Sequence, residues 1–228
     1  MPDFTYADIA KMIDHSLLQP VRTDAELEQG CRLARDYQVA SVCIKPYGVK
    51  LAAGVLAGSG VAVGTVIGFP HGGHLTRIKR AEAEGAMDDG AVELDMVVNI
   101  GKVWTGDWKY VADDIAAVVD TGHARKALIK VIFENCFLKN EHKERLCKIC
   151  GELGADFVKT STGYGDAGAT DEDLKLMRRC SPPRVQVKAA GGVRTLDRVL
   201  AVRALGVTRV GATASPAILD ECKKRLQL

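Results

Sequence analysis

Short β-branched apolar runs alternate along this chain with longer segments of helical length. The runs at 13–17, 40–44, 62–67, 92–97, 128–133, 157–160, 185–189 and 209–211 predict strands. Between them, 23–38, 46–57, 75–89, 107–120, 140–153, 171–179, 196–204 and 216–225 predict helices, and a short helix at 6–12 precedes the first strand. Several helix starts are marked. Thr170 offers a cap hydroxyl ahead of Asp171, Glu172 and Asp173, and Thr195 precedes Leu196 and Asp197 in the same way. Asn140, followed by Glu141, is a further cap candidate, and Gly122, Gly154 and Gly206 are expected at helix exits.

This alternation predicts βα units on a parallel sheet. About eight units fit a closed (β/α)8, or TIM, barrel, an α/β fold that fits in as few as ~200 residues. A doubly wound open sheet is the alternative, but no G-x-G-x-x-G turn follows the first strand. No linker, low-complexity tract or charge block divides the chain, so residues 1–228 are expected to form one barrel domain. Hydrophobic residues make up 47% and aromatics only 5%, with Ala, Val and Gly dominant; this suits strands buried on both faces under helices.

The charge balance then narrows the function. A net charge of +2 gives no reason to expect a nucleic-acid partner. No apolar run reaches the ~20 residues that cross a bilayer. The stretch 1–11 carries Asp3 and Asp8 and lacks a signal-peptide core, so a soluble cytoplasmic protein without a membrane partner is expected. Seven cysteines in no scaffold spacing suit reduced thiols, and Cys147-x-x-Cys150 lies in a Lys/Glu-rich helical stretch with no second pair. His15 and the pair His71 and His74 lack a matching carboxylate or cysteine cluster, so no metal is expected, and His71 is given a loop-ordering role. Cys43, near the end of the second strand, is expected in packing. Trp104 and Trp108, which flank Gly106, are expected in loop packing or a subunit contact.

Candidate chemistry comes from strand parity. Residues of equal parity share a face, so Glu93 and Asp95 lie together, opposite Val92, Leu94 and Met96. By the same rule Lys130 shares a face with Leu128 and Ile132, Lys159 with Phe157 and Ser161, and Lys188 with Gln186. In a barrel, Asp95, Lys130, Lys159 and Lys188 converge on the interior, near the end where active sites lie. An ion-pair network that only fixes barrel packing is the plainer reading. Chemistry is the sharper one, because unpaired buried charge is costly and is paired or functional. A desolvated lysine beside another ammonium is pushed toward the neutral amine, the form that attacks a carbonyl to give an imine. A nearby carboxylate then moves protons as imine becomes enamine, and the protonated imine is itself the electron sink, so no cofactor is called for.

Three late turns offer backbone donors to an anion: Ser161-Thr162-Gly163, Gly191-Gly192-Val193-Arg194 and Gly211-Ala212-Thr213. Phosphate sites after the seventh and eighth strands recur in such barrels, which points to a small phosphorylated substrate.

Five segments together resemble the deoxyribose-phosphate aldolase family. They are Ile13-Asp14-His15-Ser16-Leu17-Leu18, Gly68-Phe69-Pro70-His71-Gly72, Glu93 through Gly101, Val158-Lys159-Thr160-Ser161-Thr162-Gly163 and Val187 through Arg194. The resemblance implies a class I aldolase barrel that reversibly cleaves 2-deoxy-D-ribose 5-phosphate to acetaldehyde and D-glyceraldehyde 3-phosphate, in nucleoside breakdown. It implies Lys159 as the Schiff-base nucleophile, Lys188 as the lysine that lowers its pKa and assists proton transfer, Asp95 in the proton relay and Lys130 in support. It implies phosphate or substrate contacts at Thr162, Gly163, Gly191, Gly192, Val193, Arg194, Gly211 and Thr213. A homodimer is common among such barrels. The chain departs from the family at Tyr164, where some members carry lysine; at Ala214, where many carry a hydroxyl; at Lys45; and at Leu226-Gln227-Leu228, where some members end in tyrosine. The departures at Tyr164, Ala214 and Leu226-Gln227-Leu228 bear on the phosphate grip and on proton transfer more than on the reaction type, and nothing in the sequence explains Lys45.

Overall fold

The computed structural model describes residues 3–228. Eight parallel strands close into a barrel in sequential order: β1 (Ile13–Leu17), β2 (Ser41–Ile44), β3 (Ala62–Ile67), β4 (Glu93–Val97), β5 (Leu128–Ile132), β6 (Phe157–Lys159), β7 (Gln186–Ala190) and β8 (Arg209–Ala212). Helices follow each strand: α2 (Asp24–Asp36), α3 (Val49–Leu56), α4 (Thr76–Asp88), α5 (Ile100–Thr105) with α6 (Trp108–His123), α7 (Asn140–Glu152), α8 (Asp171–Cys180), α9 (Leu196–Ala204) and α10 (Ser215–Leu226). A short α1 (Tyr6–Ala10) precedes β1. The expected barrel and its N-terminal helix are therefore observed.

Local chemistry explains the boundaries. Thr170 and Thr195 cap α8 and α9 through their hydroxyls, as expected, and Thr23 heads a capping box with Glu26 on α2. Asn140 is not a cap: it is the first residue of α7, and Lys139 holds the cap position. Gly154 and Gly206 sit at helix exits with φ of 76° and 86°. Gly122 instead lies inside α6, where a Cβ would fall 2.3 Å from Ile129 Cδ1, so its role is close packing on β5. The sequence pattern missed α5, which has only six residues and too few turns to show a period. Asn99 caps it and Gly106, at φ 74°, ends it.

The parity rule describes the barrel wall. Leu94, Met96, Ile129, Val131, Val158, Val187 and Ala189 are fully buried beneath the helices. The other face points inward, and register sets its levels. Asp95 is level with Lys130, Lys159 with Lys188, and Asp14 with Gly211. Charges from six strands, Arg209 of β8 included, thus meet in a space that only their mutual pairing can make tolerable.

Candidate active site

The strand-interior residues singled out by parity do converge. Asp95 is their hub. Its Oδ2 accepts from Lys159 Nζ at 2.8 Å and from Lys188 Nζ at 2.7 Å, while its Oδ1 accepts from Lys130 Nζ at 2.7 Å. Lys130 also donates to Glu93 Oε2 at 2.7 Å, and Lys188 to Asp14 Oδ2 at 2.5 Å. Asp14 Oδ1 accepts from Arg209 Nε and from Ser41 Oγ, and Arg209 reaches both oxygens of Glu93 at 3.0 and 2.8 Å.

Three members of this cluster were not singled out from the sequence: Asp14, Arg209 and Ser41. All three lie in predicted strands, so counting every charged residue inside a strand would have found Asp14 and Arg209. Glu134 was also missed. It follows β5 with φ 57°, a conformation that disfavours side chains, and accepts from the Thr162 backbone N–H and hydroxyl. No periodic signal marks such a position.

The environments separate the three lysines. Burial pushes Lys159 below the ordinary lysine value, the Lys188 ammonium adds to this, and Asp95 opposes it. Burial acts on Lys188 in the same sense, but Asp14 and Asp95 outweigh it and hold that ammonium above the ordinary value. Lys130 is likewise raised, against burial, by Asp95, Asp14 and Glu93. Burial would push the Asp95 carboxyl up, yet the three ammonium groups hold it well below the usual range. The arrangement offers one amine inclined to lose its proton, one firmly protonated neighbour, and a carboxylate touching both.

Lys159 and Lys188 open onto a cavity of about 270 Å³ at the C-terminal end of the strands, whereas Lys130 lies beneath it. The three late turns line that cavity through Thr162, Gly163, Gly191, Gly192, Val193, Arg194, Gly211 and Thr213. Their donors are not equivalent. Thr162 has both its N–H and its hydroxyl committed to Glu134. Val193 is buried and packs into the core, while Arg194 and Thr213 are exposed. The turns are also coupled: Ala169 N donates to Gly191 O, and a Cβ on Gly168 would fall within 2.4 Å of that oxygen.

Two of the positions that differ from the resembled family, Tyr164 and Lys45, make contacts here. Tyr164 donates its hydroxyl to Leu18 O at 2.9 Å and sets its ring edge-on to Phe69, bridging the loops after β6, β1 and β3 across the mouth. Lys45 donates to Arg22 O at 2.9 Å and Pro20 O at 3.3 Å, tying down the β1–α2 loop. Cys43 packs with Leu18 and Val66 and also borders the cavity, and burial pushes its thiol up. Cys147 and Cys150 are buried in α7 with their thiols likewise raised by burial. Trp104 donates to Phe137 O and meets the His142 ring edge-on, a loop-packing arrangement. His71 and His74 are exposed and outside the cavity lining. In their loop, Gly72 passes so close to the chain after β4 that a Cβ on it would lie 1.8 Å from Val98 O.

Comparison with known proteins places this geometry among relatives. The family described as DeoC/LacD family aldolase matches residues 9–213. A deoxyribose-phosphate aldolase of Rhodopirellula baltica is 58% identical over 226 residues, covering 99% of this chain and 94% of that protein. One of Thermococcus gammatolerans is 46% identical, covering 93% of this chain and 96% of its own. Among solved structures, the aldolase QR15 superposes with a TM-score of 0.91 at 34% identity, covering 96% of this chain and 98% of that one. The tetrameric deoxyribose phosphate aldolase of Aeropyrum pernix gives a TM-score of 0.89 at 26% identity, covering 98% and 94%.

Proposed function

The chain belongs to the DeoC/LacD aldolase family, and from that membership we propose that it cleaves 2-deoxy-D-ribose 5-phosphate reversibly to acetaldehyde and D-glyceraldehyde 3-phosphate, with Lys159 as the Schiff-base nucleophile. The observation that carries the assignment is that the Lys159 amine touches only one carboxylate oxygen, alone of the three lysines is held below the ordinary value on balance, and borders a cavity rimmed by glycine-rich turns.

The neutral Lys159 amine adds to the aldehyde carbon of the open-chain sugar, and loss of water gives a protonated imine. Lys188, protonated and in contact with Asp95, supplies the proton for the departing hydroxyl. Removal of the proton from the C3 hydroxyl, through Asp95 and Lys188, breaks the C2–C3 bond. The electron pair passes to C2 and into the imine, leaving an enamine and releasing glyceraldehyde 3-phosphate. Protonation at C2 and hydrolysis then free acetaldehyde and restore the amine. Lys130 holds the other oxygen of Asp95 and fixes its direction.

The phosphate sits against the backbone N–H groups of Gly163, Gly191 and Gly192, the turn at Gly211 and Thr213, and the Arg194 guanidinium. Thr162 and Val193 serve by positioning their turns. The chain acts as one catalytic barrel. No described helix is long and apolar enough to cross a membrane. A cytoplasmic role in nucleoside breakdown is part of the same proposal and rests on the family membership. The exposed Trp104 and Phe137 side chains support a homodimer contact.

The test is reductive trapping. Borohydride with acetaldehyde adds an ethyl group to Lys159, located by peptide mass spectrometry; an adduct confined to surface lysines sinks the assignment. Lys159→Leu abolishes cleavage while circular dichroism remains that of the folded protein, and retained turnover refutes the role.

A further inference from the structure

The interior cluster holds three carboxylates, Asp14, Glu93 and Asp95, and four bases, Lys130, Lys159, Lys188 and Arg209. All are buried apart from a narrow exposed edge on Arg209. Uncompensated charge in such a space is costly, so the cluster balances with one base neutral. Arginine does not give up its proton in proteins. Lys130 faces Glu93 and Asp95 at 2.7 Å each and lies 3.7 Å from Asp14. Lys188 faces two carboxylates, Asp14 and Asp95. Lys159 touches a single carboxylate oxygen, shared with Lys188, and borders the cavity. It is the base with least to lose on becoming neutral.

Arg209 decides this outcome from β8, level with Lys188 and two strands away from Lys159. It occupies Asp14 Oδ1 and both oxygens of Glu93, and bonds Ser41 at 3.1 Å, yet it is absent from the cavity lining. Without it, three carboxylates would face three lysines, and balance would require Lys159 as an ammonium. We infer that Arg209 is a positioning residue of the aldolase reaction, which keeps Lys159 in its nucleophilic form by neutralising Asp14 and Glu93. This rests on the Schiff-base reading of Lys159. The groups that bear on Lys159 are Asp14 from β1, Cys43 from β2, Asp95 and Glu93 from β4, Lys130 from β5, Lys188 from β7 and Arg209 from β8, while β3 brings no charged residue.

The experiment is the pH profile of kcat/KM for 2-deoxyribose 5-phosphate in charge-altered variants. Arg209→Met leaves one uncompensated negative charge. It moves the acid limb to higher pH by about one unit, an approximately tenfold loss on that limb, with recovery at alkaline pH. Arg209→Lys keeps the charge and the wild-type limb. Removing guanidinium and carboxylate together, in Arg209→Met with Glu93→Gln, returns the limb whatever the plateau height. Glu93→Gln alone, which does not depend on Arg209→Met folding, moves the limb to lower pH. Unmoved limbs, or a Glu93→Gln limb that moves upward, overturn the inference. Borohydride trapping on wild-type protein separates the two levels. An adduct on Lys159 with unmoved limbs sinks the Arg209 role alone, while no adduct removes the Schiff-base reading and this inference with it.

Discussion

His15 makes stability pH-dependent in a calculable way. Its ring is buried between β1 and the start of α10, with Nδ1 2.8 Å from Ser215 Oγ. Burial, aided by the Arg22 guanidinium, pushes its pKa down from 6.5 to about 4. In the unfolded chain the imidazole takes a proton below its ordinary value, whereas the folded one resists until near the lowered value. Stability is therefore fully present above the unfolded value and declines as pH falls through the window between them. Between pH 7.5 and 4.5 the loss is about 2.5 kcal/mol. The perturbation is His15→Gln, which cannot titrate. The assay is urea unfolding of both proteins across this range, with the slope checked for constancy. Buried carboxylates such as Asp14 and Asp95 contribute acid lability to both proteins alike and cancel in the difference. The stability advantage of wild type over the variant should shrink by about 2.5 kcal/mol toward pH 4.5. A constant or widening difference refutes a neutral, desolvated His15.

Two further outcomes test the scaffold around the site. Gly168→Ala would drive a methyl into Gly191 O, 2.4 Å away, and so displace the turn after β7. Its KM for 2-deoxyribose 5-phosphate should rise about tenfold, roughly 1.4 kcal/mol, with a smaller change for unphosphorylated 2-deoxyribose; equal changes for both would detach that turn from the phosphate. Lys79, fully buried on α4, donates to Asp114 and to Val97 O at the end of the strand that carries Asp95. Lys79→Met strands the Asp114 carboxylate and should cost about 3–5 kcal/mol in urea unfolding, while Lys79→Met with Asp114→Leu recovers most of it; a double variant no more stable than the single one would reject the desolvation account.

The sequence by itself determined the barrel, because strand and helix periods are local properties that survive without knowing the partners. It also placed Asp95, Lys130, Lys159 and Lys188 on inward faces, since parity follows from the backbone alone. Parity does not tell which charge touches which, and register decides that. By bringing Lys159 level with Lys188 and Asp95 level with Lys130, it gave Asp95 three ammonium partners and left Lys159 with one shared oxygen. Asp14 and Arg209, nearly two hundred residues apart in sequence, bond only because β8 closes against β1. Glu134 and Tyr164 lie in loops where no period operates, so their contacts with Thr162 and Leu18 exist only once the strands have set the loop ends. The short chemistry-bearing strands announced which residues matter. Closure of the barrel decided their charges, because a buried group's protonation depends on neighbours that the chain supplies from every strand but β3.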